Sequence, residues 1–163
     1  MKAALAWLLV LATACGDDED PPGIAGLYMT TTHVASQEAC IGGTTPEDSQ
    51  PYFRMEESGG GVSLRECSST YPATCGGGRG VLDQETELGY RGDLYSATGD
   101  SAECELLWEW HDASRNADGL TYRISHHREA GAIDPCTAEE AEARSTELPC
   151  IAYEVLIGAR VAE

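Results

Sequence analysis

The chain has 163 residues, and 28 acidic residues outnumber 10 basic ones to give a formal net charge of −18 at pH 7. This balance excludes nucleic-acid binding, because phosphates require a basic surface. It also opposes electrostatic attachment to anionic lipids.

The first 14 residues have the layout of a secretory signal peptide. Lys2 gives a basic start, an apolar run occupies residues 3–11, and small residues follow at 12–14. About a dozen apolar residues are too few for a membrane-spanning helix, which needs about 20. We therefore expect residues 1–14 to be a signal peptide that is removed from the mature chain.

The segment LATAC at residues 11–15 resembles the lipobox of bacterial lipoproteins. That resemblance implies a lipid on Cys15, which then begins the mature protein and makes the membrane a partner. Ala12 stands where the motif usually has Leu, Val or Ile, and residues 12–14 also fit the A-x-A rule for ordinary secretion. We expect a lipid-anchored protein of the cell envelope, at the periplasmic face or the outer-membrane surface, with secretion as the alternative.

Residues 15–23 read CGDDEDPPG, an acidic segment with almost no apolar side chains. Such a segment cannot bury enough apolar area to offset the entropy of ordering it. We expect a disordered tether here. The length of residues 24–163 then fits a single β-rich domain.

Alternation of apolar and polar residues with a period of two dominates this domain and indicates strands. The expected strands lie near residues 26–34, 51–57, 62–67, 89–97, 104–111, 120–125 and 151–161. The fifth and sixth of these are expected to form a hairpin around a polar turn at 112–119.

Three aromatic residues of this hairpin, Trp108, Trp110 and Tyr122, fall on the apolar faces of their strands. We expect them to line the interior together. Aromatic side chains in strands usually fill a core. In a hollow barrel the same three residues would instead form the wall of an apolar ligand pocket.

The hairpin also carries two adjacent histidines, His126 and His127. Neighbouring residues of a strand face opposite sides, so the pair is not expected to share one metal ion. We expect His126 on the inner face and His127 near Glu103 or Glu105 across the hairpin.

The predicted turn has oxygen-bearing side chains at alternate positions, which makes Asp112, Asn116 and Asp118 weak calcium candidates. The sixth position lacks the glycine of an EF-hand loop, and a plain turn rich in Asp, Asn and Gly explains the same residues. His111 beside Asp112 and Asp118 is a second weak cluster.

The sequence has no G-x-S-x-G, H-E-x-x-H or P-loop signature. We therefore predict no metal, no cofactor and no enzymatic activity.

One helix is expected at residues 137–147. Thr137 and Glu140 fit a capping box, and the following run of Ala, Glu and Arg has high helix propensity before Pro149. The helix sets Cys136 and Cys150 about 15 Å apart, beyond the Cα separation of about 7 Å that a disulfide allows. These two cysteines should not pair with each other.

Apart from Cys15, six cysteines remain in a chain bound for an oxidising compartment, where three disulfides are the expected state. They are Cys40, Cys67, Cys75, Cys104, Cys136 and Cys150. The short loop SSTYPAT makes Cys67 with Cys75 the best candidate pair. Among the other four, we favour Cys40 with Cys150.

The predicted fold is mainly β, an antiparallel up-and-down barrel or sandwich of about 7–8 strands with one helix before the last strand. Gly26-Leu27-Tyr28 loosely resembles the G-x-W opening of lipocalins. We expect a non-catalytic binding or structural domain on a lipid anchor. The alternatives are a lipocalin-like carrier of a small apolar ligand and an envelope hydrolase. No particular protein or small-molecule partner is indicated.

Overall fold

The computed structural model describes residues 23–36, 40 and 45–162. Within this part of the chain lie ten strands and one α-helix, with a short 3-10 turn at Pro72–Thr74. They are β1 (Gly26–Ser36), β2 (Thr45–Pro46), β3 (Tyr52–Ser58), β4 (Gly61–Cys67), β5 (Cys75–Leu82), β6 (Gln84–Thr86), β7 (Gly89–Gly99), β8 (Cys104–Asn116), β9 (Gly119–Gly131), α1 (Ala138–Ala143) and β10 (Cys150–Arg160). The predicted signal peptide, Cys15 and most of the predicted tether lie outside the described residues.

The strands form one antiparallel sheet in the order β5-β4-β3-β1-β10-β9-β8-β7-β6, and β2 pairs only with β1. The prediction of a mainly β, antiparallel fold with one late helix is confirmed. The predicted number of strands is too low, because β5 has the Gly-rich composition of a turn and β2 and β6 are very short. The prediction of a closed barrel or a two-layer sandwich is wrong, because the sheet is single and open.

The two ends of this open sheet are formed by strands that are consecutive in sequence. β5 pairs with β4 and β6 pairs with β7, while only Asp83 separates β5 from β6. One short segment therefore contributes to both edges, and β5 also lies against β7 and β8. The sheet curls strongly, which gives it an enclosed inner face and an outer face.

The inner face holds the larger of two hydrophobic clusters, which we call the inner core. Its members are Ile24, Tyr28, Phe53, Met55, Val62, Leu64, Leu82, Ala113, Leu120, Tyr122, Ile124 and Leu156. The rings of Tyr28 and Phe53 stack with their centroids 5.2 Å apart. Because these side chains are almost completely buried, they fill the space that the sheet encloses.

The outer face holds a second cluster under α1, which we call the outer core. Its buried members are Cys104, Leu106, Ile133, Ala141 and Leu148, and Tyr95, Ala97, Trp108 and Cys136 pack against them. α1 contacts β7 and β8 and covers this part of the sheet. Strand β8 therefore contributes even-numbered residues to the outer core and odd-numbered residues such as Ala113 to the inner core.

The predicted interior shared by Trp108, Trp110 and Tyr122 is wrong. Tyr122 pairs with Ala113 on the inner face, whereas Trp108 pairs with His127 on the outer face, and residues directly opposite in an antiparallel pair share a face. The reason is that both faces of this hairpin bury apolar side chains: Tyr122 packs in the inner core, and Trp108 packs against the outer core under α1. Pairing continues to Asn116 opposite Gly119, so the turn has two residues instead of the eight predicted at 112–119.

The helix begins as predicted but ends earlier. Thr137 is the N-cap, and its hydroxyl accepts a hydrogen bond from the Glu140 backbone N–H at 3.2 Å. α1 ends at Ala143 instead of residue 147, with turns over the following residues. No helix among the described residues has the length and apolarity that a membrane crossing requires.

All six cysteines in the described part of the chain form disulfides. The predicted pairs Cys67–Cys75 and Cys40–Cys150 are confirmed, and the third bridge joins Cys104 to Cys136. The first bridge closes the short loop between β4 and β5. The second ties Cys40 to the first residue of β10, and the third ties the start of β8 to the segment before α1.

Candidate functional site

Polar side chains replace apolar ones at one end of the inner face. We call this group the inner polar cluster, and it consists of His33, Glu66, Arg79, Glu109, His111, His126 and Glu154. Its members come from β1, β4, β5, β8, β9 and β10. The cluster has two halves, one around Glu154 and one around Glu109, and the charges of Glu154 and Arg79 act on His126 of the second half. We treat it as the first candidate site.

The sheet register places these residues beside the inner core. Glu66 pairs with Phe53, His33 pairs with Leu156, and Glu154 pairs with Ile124. Since directly opposite residues share a face, each polar side chain points to the same side as its apolar partner. The polar cluster is thus the continuation of the inner core toward one end of the strands.

One half of the cluster is organised by Glu154 and Arg79. Glu154 Oε1 accepts a hydrogen bond from Arg79 Nη1 at 2.9 Å and lies 2.8 Å from His33 Nε2. Arg79 Nη2 reaches Glu66 Oε1 at 2.6 Å. Burial lowers the pKa of Arg79, but the carboxylates of Glu154 and Glu66 outweigh it and raise that pKa above its usual value. Arg79 is therefore a fixed positive charge between two acidic side chains.

The other half of the cluster is organised by Glu109. Its Oε1 lies 3.2 Å from His126 Nδ1, and its Oε2 lies 3.3 Å from His111 Nε2. The imidazoles of His111 and then His126 hold the pKa of Glu109 far below its usual range. The same carboxylate raises the pKa of His126 against the opposing effect of burial. This arrangement favours a carboxylate and an imidazolium at mildly acidic pH.

His111 is the most deeply buried polar residue of the cluster, with 3% of its surface exposed. Its Nδ1 lies 2.8 Å from the Tyr122 hydroxyl, and burial raises the pKa of Tyr122. Its Nε2 is close to Glu109 but is not aligned for a hydrogen bond. Gly80 of β5 has a φ of +57° and lies close to the His111 ring. A Cβ at this position would be 3.1 Å from His111 Nδ1, so the absence of a side chain allows the backbone of β5 to approach the imidazole.

The outer face carries a second candidate group around Trp108 and His127. Their ring centroids are 4.2 Å apart, and Trp108 Nε1 donates a hydrogen bond to Asp93 Oδ1 at 2.8 Å. Trp110 also lies on this face, where the Arg91 guanidinium is 5.5 Å from its ring centroid. These tryptophans are half-buried on the surface of the sheet and do not border the inner core.

The weak calcium candidates do not form one loop. Asp112 lies within β8, and its Oδ1 is 3.7 Å from Arg123 Nη1. The Asn116 amide donates to Thr121 Oγ1 at 3.0 Å, and its Oδ1 accepts the Asp118 backbone N–H at 3.0 Å. The Asn116 oxygen belongs to a tight two-residue turn, whereas Asp112 lies within the strand before it.

The prediction for the two adjacent histidines is half right. His126 is on the inner face, as predicted, but His127 lies opposite Trp108 instead of near Glu103 or Glu105. The inner polar cluster itself was missed, because its members are spread over six strands between His33 and Glu154. The available signal was Glu109-x-His111 on one strand, which becomes informative only when the β8–β9 register places His126 opposite Glu109.

Comparison with known proteins finds no match, whether with protein-family models, with curated proteins or with solved structures. The site must therefore be interpreted from its own residues. The inner polar cluster is a network of ion pairs in which each carboxylate already has a basic partner. In the group on the outer face, the imidazole of His127 lies beside the Cys40–Cys150 disulfide.

Proposed function

We propose that this chain is a lipid-anchored protein of the bacterial cell envelope, whose β domain is a non-catalytic binding or structural module. The observation that carries the proposal is the use of its cysteines. The chain has seven, and the six described ones form three disulfides, which leaves Cys15 in the lipobox-like LATAC segment. Disulfides of this number are typical of chains exported to an oxidising compartment.

The chemistry of the inner polar cluster supports a non-catalytic role. A general acid or base works best when its pKa lies near the working pH. Two imidazoles hold the pKa of Glu109 far below that range, and Arg79 is fixed between Glu66 and Glu154. The pKa of His126 is raised from its usual value, but its Nδ1 is already engaged by Glu109 Oε1 at 3.2 Å. The cluster behaves as a structural ion-pair network, which argues against the hydrolase alternative.

The packing of the inner core argues against the carrier alternative. A lipocalin-like carrier needs a hollow interior, but Tyr28 and Phe53 are at most 1% exposed and stack within the inner core. Trp108 and Trp110, the candidate pocket walls, lie on the outer face. Binding by this domain therefore takes place on its surface, where the strong negative charge favours basic or cationic partners.

Intact-mass spectrometry of the full chain, produced in a bacterium that processes lipoproteins, tests the anchor. We expect cleavage before Cys15, an added diacylglyceryl group and the loss of six hydrogens for three disulfides. Cys15→Ser should abolish lipidation and membrane fractionation, whereas the control Cys40→Ser should keep both. A chain cleaved after Ala14 without lipid would contradict the proposal and support secretion.

A further inference from the structure

The Cys40–Cys150 disulfide has an imidazole beside it. His127 Nε2 lies 3.9 Å from Cys40 Sγ, and the two sulfurs and one ring nitrogen lie within 4.8 Å of one another. Among the described residues, this is the group of three potential metal-ligating side chains with such spacing. In the disulfide form the sulfurs have no thiolate charge, so the group cannot hold a metal ion tightly.

The position of His127 is fixed by its neighbours. Its Nδ1 lies 3.0 Å from the Leu148 carbonyl oxygen, an acceptor, so Nδ1 carries the proton and Nε2 presents its lone pair. Ser125 Oγ lies 3.2 Å from Nε2, and the Trp108 ring packs on the imidazole. A backbone carbonyl that orients the second ring nitrogen is the usual support of a metal-ligating histidine.

Cys40–Cys150 is also the bridge that solvent reaches most easily. Cys40 is exposed and Cys150 is half-buried. By contrast, each of the other two bridges joins a buried cysteine, Cys67 or Cys104, to a half-buried one, Cys75 or Cys136. A dithiol reductant must approach a sulfur directly, so we expect it to open Cys40–Cys150 before the other two.

We propose that reduction of Cys40–Cys150 creates a zinc site made of two thiolates and the Nε2 atom of His127. The reductant, a dithiol, supplies two electrons and two protons to the sulfur–sulfur bond and becomes a disulfide itself. The ion then displaces the two thiol protons, which leave to solvent. Two thiolates and an imidazole are ligands that Zn²⁺ prefers, and water commonly supplies the fourth ligand where a protein provides three.

Cobalt spectroscopy on the purified full-length mature protein tests the proposal. The protein is treated with a mild dithiol, freed of reductant without oxygen, and titrated with Co²⁺ and then Zn²⁺. We expect one equivalent of Co²⁺ to give a thiolate-to-cobalt charge-transfer band that Zn²⁺ removes. Mass spectrometry after alkylation should show Cys40 and Cys150 modified before the addition of metal and protected after it.

Two variants separate a built site from simple thiol binding. His127→Gln should weaken Zn²⁺ binding by at least about tenfold and alter the cobalt spectrum, because a ligand is lost. The matched control is His126→Gln, the neighbour that faces the inner side of the sheet, and it should bind Zn²⁺ like the parent. Cys40→Ser and Cys150→Ser should each abolish the charge-transfer band.

Four results would overturn the proposal. The first is a reduced, folded protein that gives no thiolate-to-cobalt band. The second is equal Zn²⁺ affinity in the parent and His127→Gln. The third is preferential opening of Cys67–Cys75 or Cys104–Cys136. Near-UV circular dichroism monitors folding, and loss of that signal on mild reduction also counts against the proposal, since the site requires β9 and β10 in place.

Discussion

Glu109 and His126 face each other across the β8–β9 pair, with Glu109 Oε1 3.2 Å from His126 Nδ1. The ladder sets the two side chains directly opposite, so the ion pair and the register support each other. Both side chains are about one-third exposed, at 35% and 31%. Solvent therefore screens part of their attraction.

Removing the carboxylate of Glu109 should destabilise the fold. Glu109→Gln loses the charged partner of His126 and the neighbour of His111, and we expect the free energy of unfolding to fall by about 1 kcal/mol. Urea denaturation measures this change. The control is Glu105→Gln on the same strand, whose partner Arg128 is 50% exposed and whose loss should cost under about 0.5 kcal/mol. Equal effects of the two substitutions would contradict this prediction.

The same pair should make stability depend on pH. The folded-state pKa of His126 is raised above 6.5, so its contribution is complete below pH 6.5 and is lost as pH rises through the raised pKa. Glu154 adds to this rise, while Arg79 opposes it. The pKa of Glu109 is lowered from 4.5, so its contribution is complete above pH 4.5 and is lost as pH falls toward the lowered pKa.

The contribution of the pair is therefore largest between pH 4.5 and 6.5. Above that window, a single histidine changes stability by at most about 1.4 kcal/mol per pH unit. Urea midpoints measured from pH 6 to 8 should fall in the parent and fall less in His126→Gln. The same slope in both proteins would show that His126 does not cause it.

Gly80 should not tolerate a side chain. Its φ of +57° disfavours L residues, and an added Cβ would lie 3.1 Å from His111 Nδ1. We expect Gly80→Ala to lower the free energy of unfolding by about 1 to 3 kcal/mol. Gly77→Ala in the same strand meets nothing within 4 Å and is the matched control. Equal melting temperatures for Gly80→Ala and Gly77→Ala would contradict the close approach of β5 to His111.

Gly158 gives a test of the packing of the inner core. An added Cβ at this position would overlap the ring of Phe53, which is completely buried against Tyr28. We expect Gly158→Ala to destabilise by about 1 to 3 kcal/mol through overpacking. Gly131→Ala, at the open end of β9, should have little effect. If Gly158→Ala is neutral in urea denaturation, the interior is less tightly filled than the structure indicates.

Calcium should not stabilise the domain through the β8–β9 turn. Asp112 faces Arg123, and the oxygen of Asn116 already accepts a backbone N–H. A ligand that binds only the folded state raises the melting temperature. Millimolar CaCl2 should therefore give the same melting temperature as MgCl2 at equal ionic strength. A rise with calcium alone that Asp118→Asn removes would contradict this expectation.

Local patterns in the sequence predicted local structure well. The alternation of Leu120, Tyr122 and Ile124 indicated their inner face, Thr137 indicated the start of the helix, and the short loop indicated the Cys67–Cys75 bridge. Each of these depends on residues that are close in the chain. The sequence spacing alone was sufficient because no long-range register was involved.

Apart from the Cys40–Cys150 bridge, longer-range relationships were not predicted from the sequence. The side-chain period of a strand is two, so an error of one residue in register transfers every side chain to the other face. The polar run at Asp112–Gly119 indicated a long turn, yet Asp112 and Ser114 pair within the sheet. A separate error is the prediction that Trp108 shares the face of Tyr122. It fails because each face of the sheet has its own apolar cluster, and the apolar alternation of a single strand does not show which cluster it joins. The inner polar cluster depends on several such registers at once, and this explains why it was missed.

The single residue between β5 and β6 has a mechanical consequence. Because one peptide segment belongs to both margins of the sheet, Asp83 joins them covalently, in addition to the packing of β5 against β7 and β8. A proteolytic cut or a flexible insertion there would free the margins to move apart. The packing of β5 against β7 and β8 would then have to hold the margins together without that link.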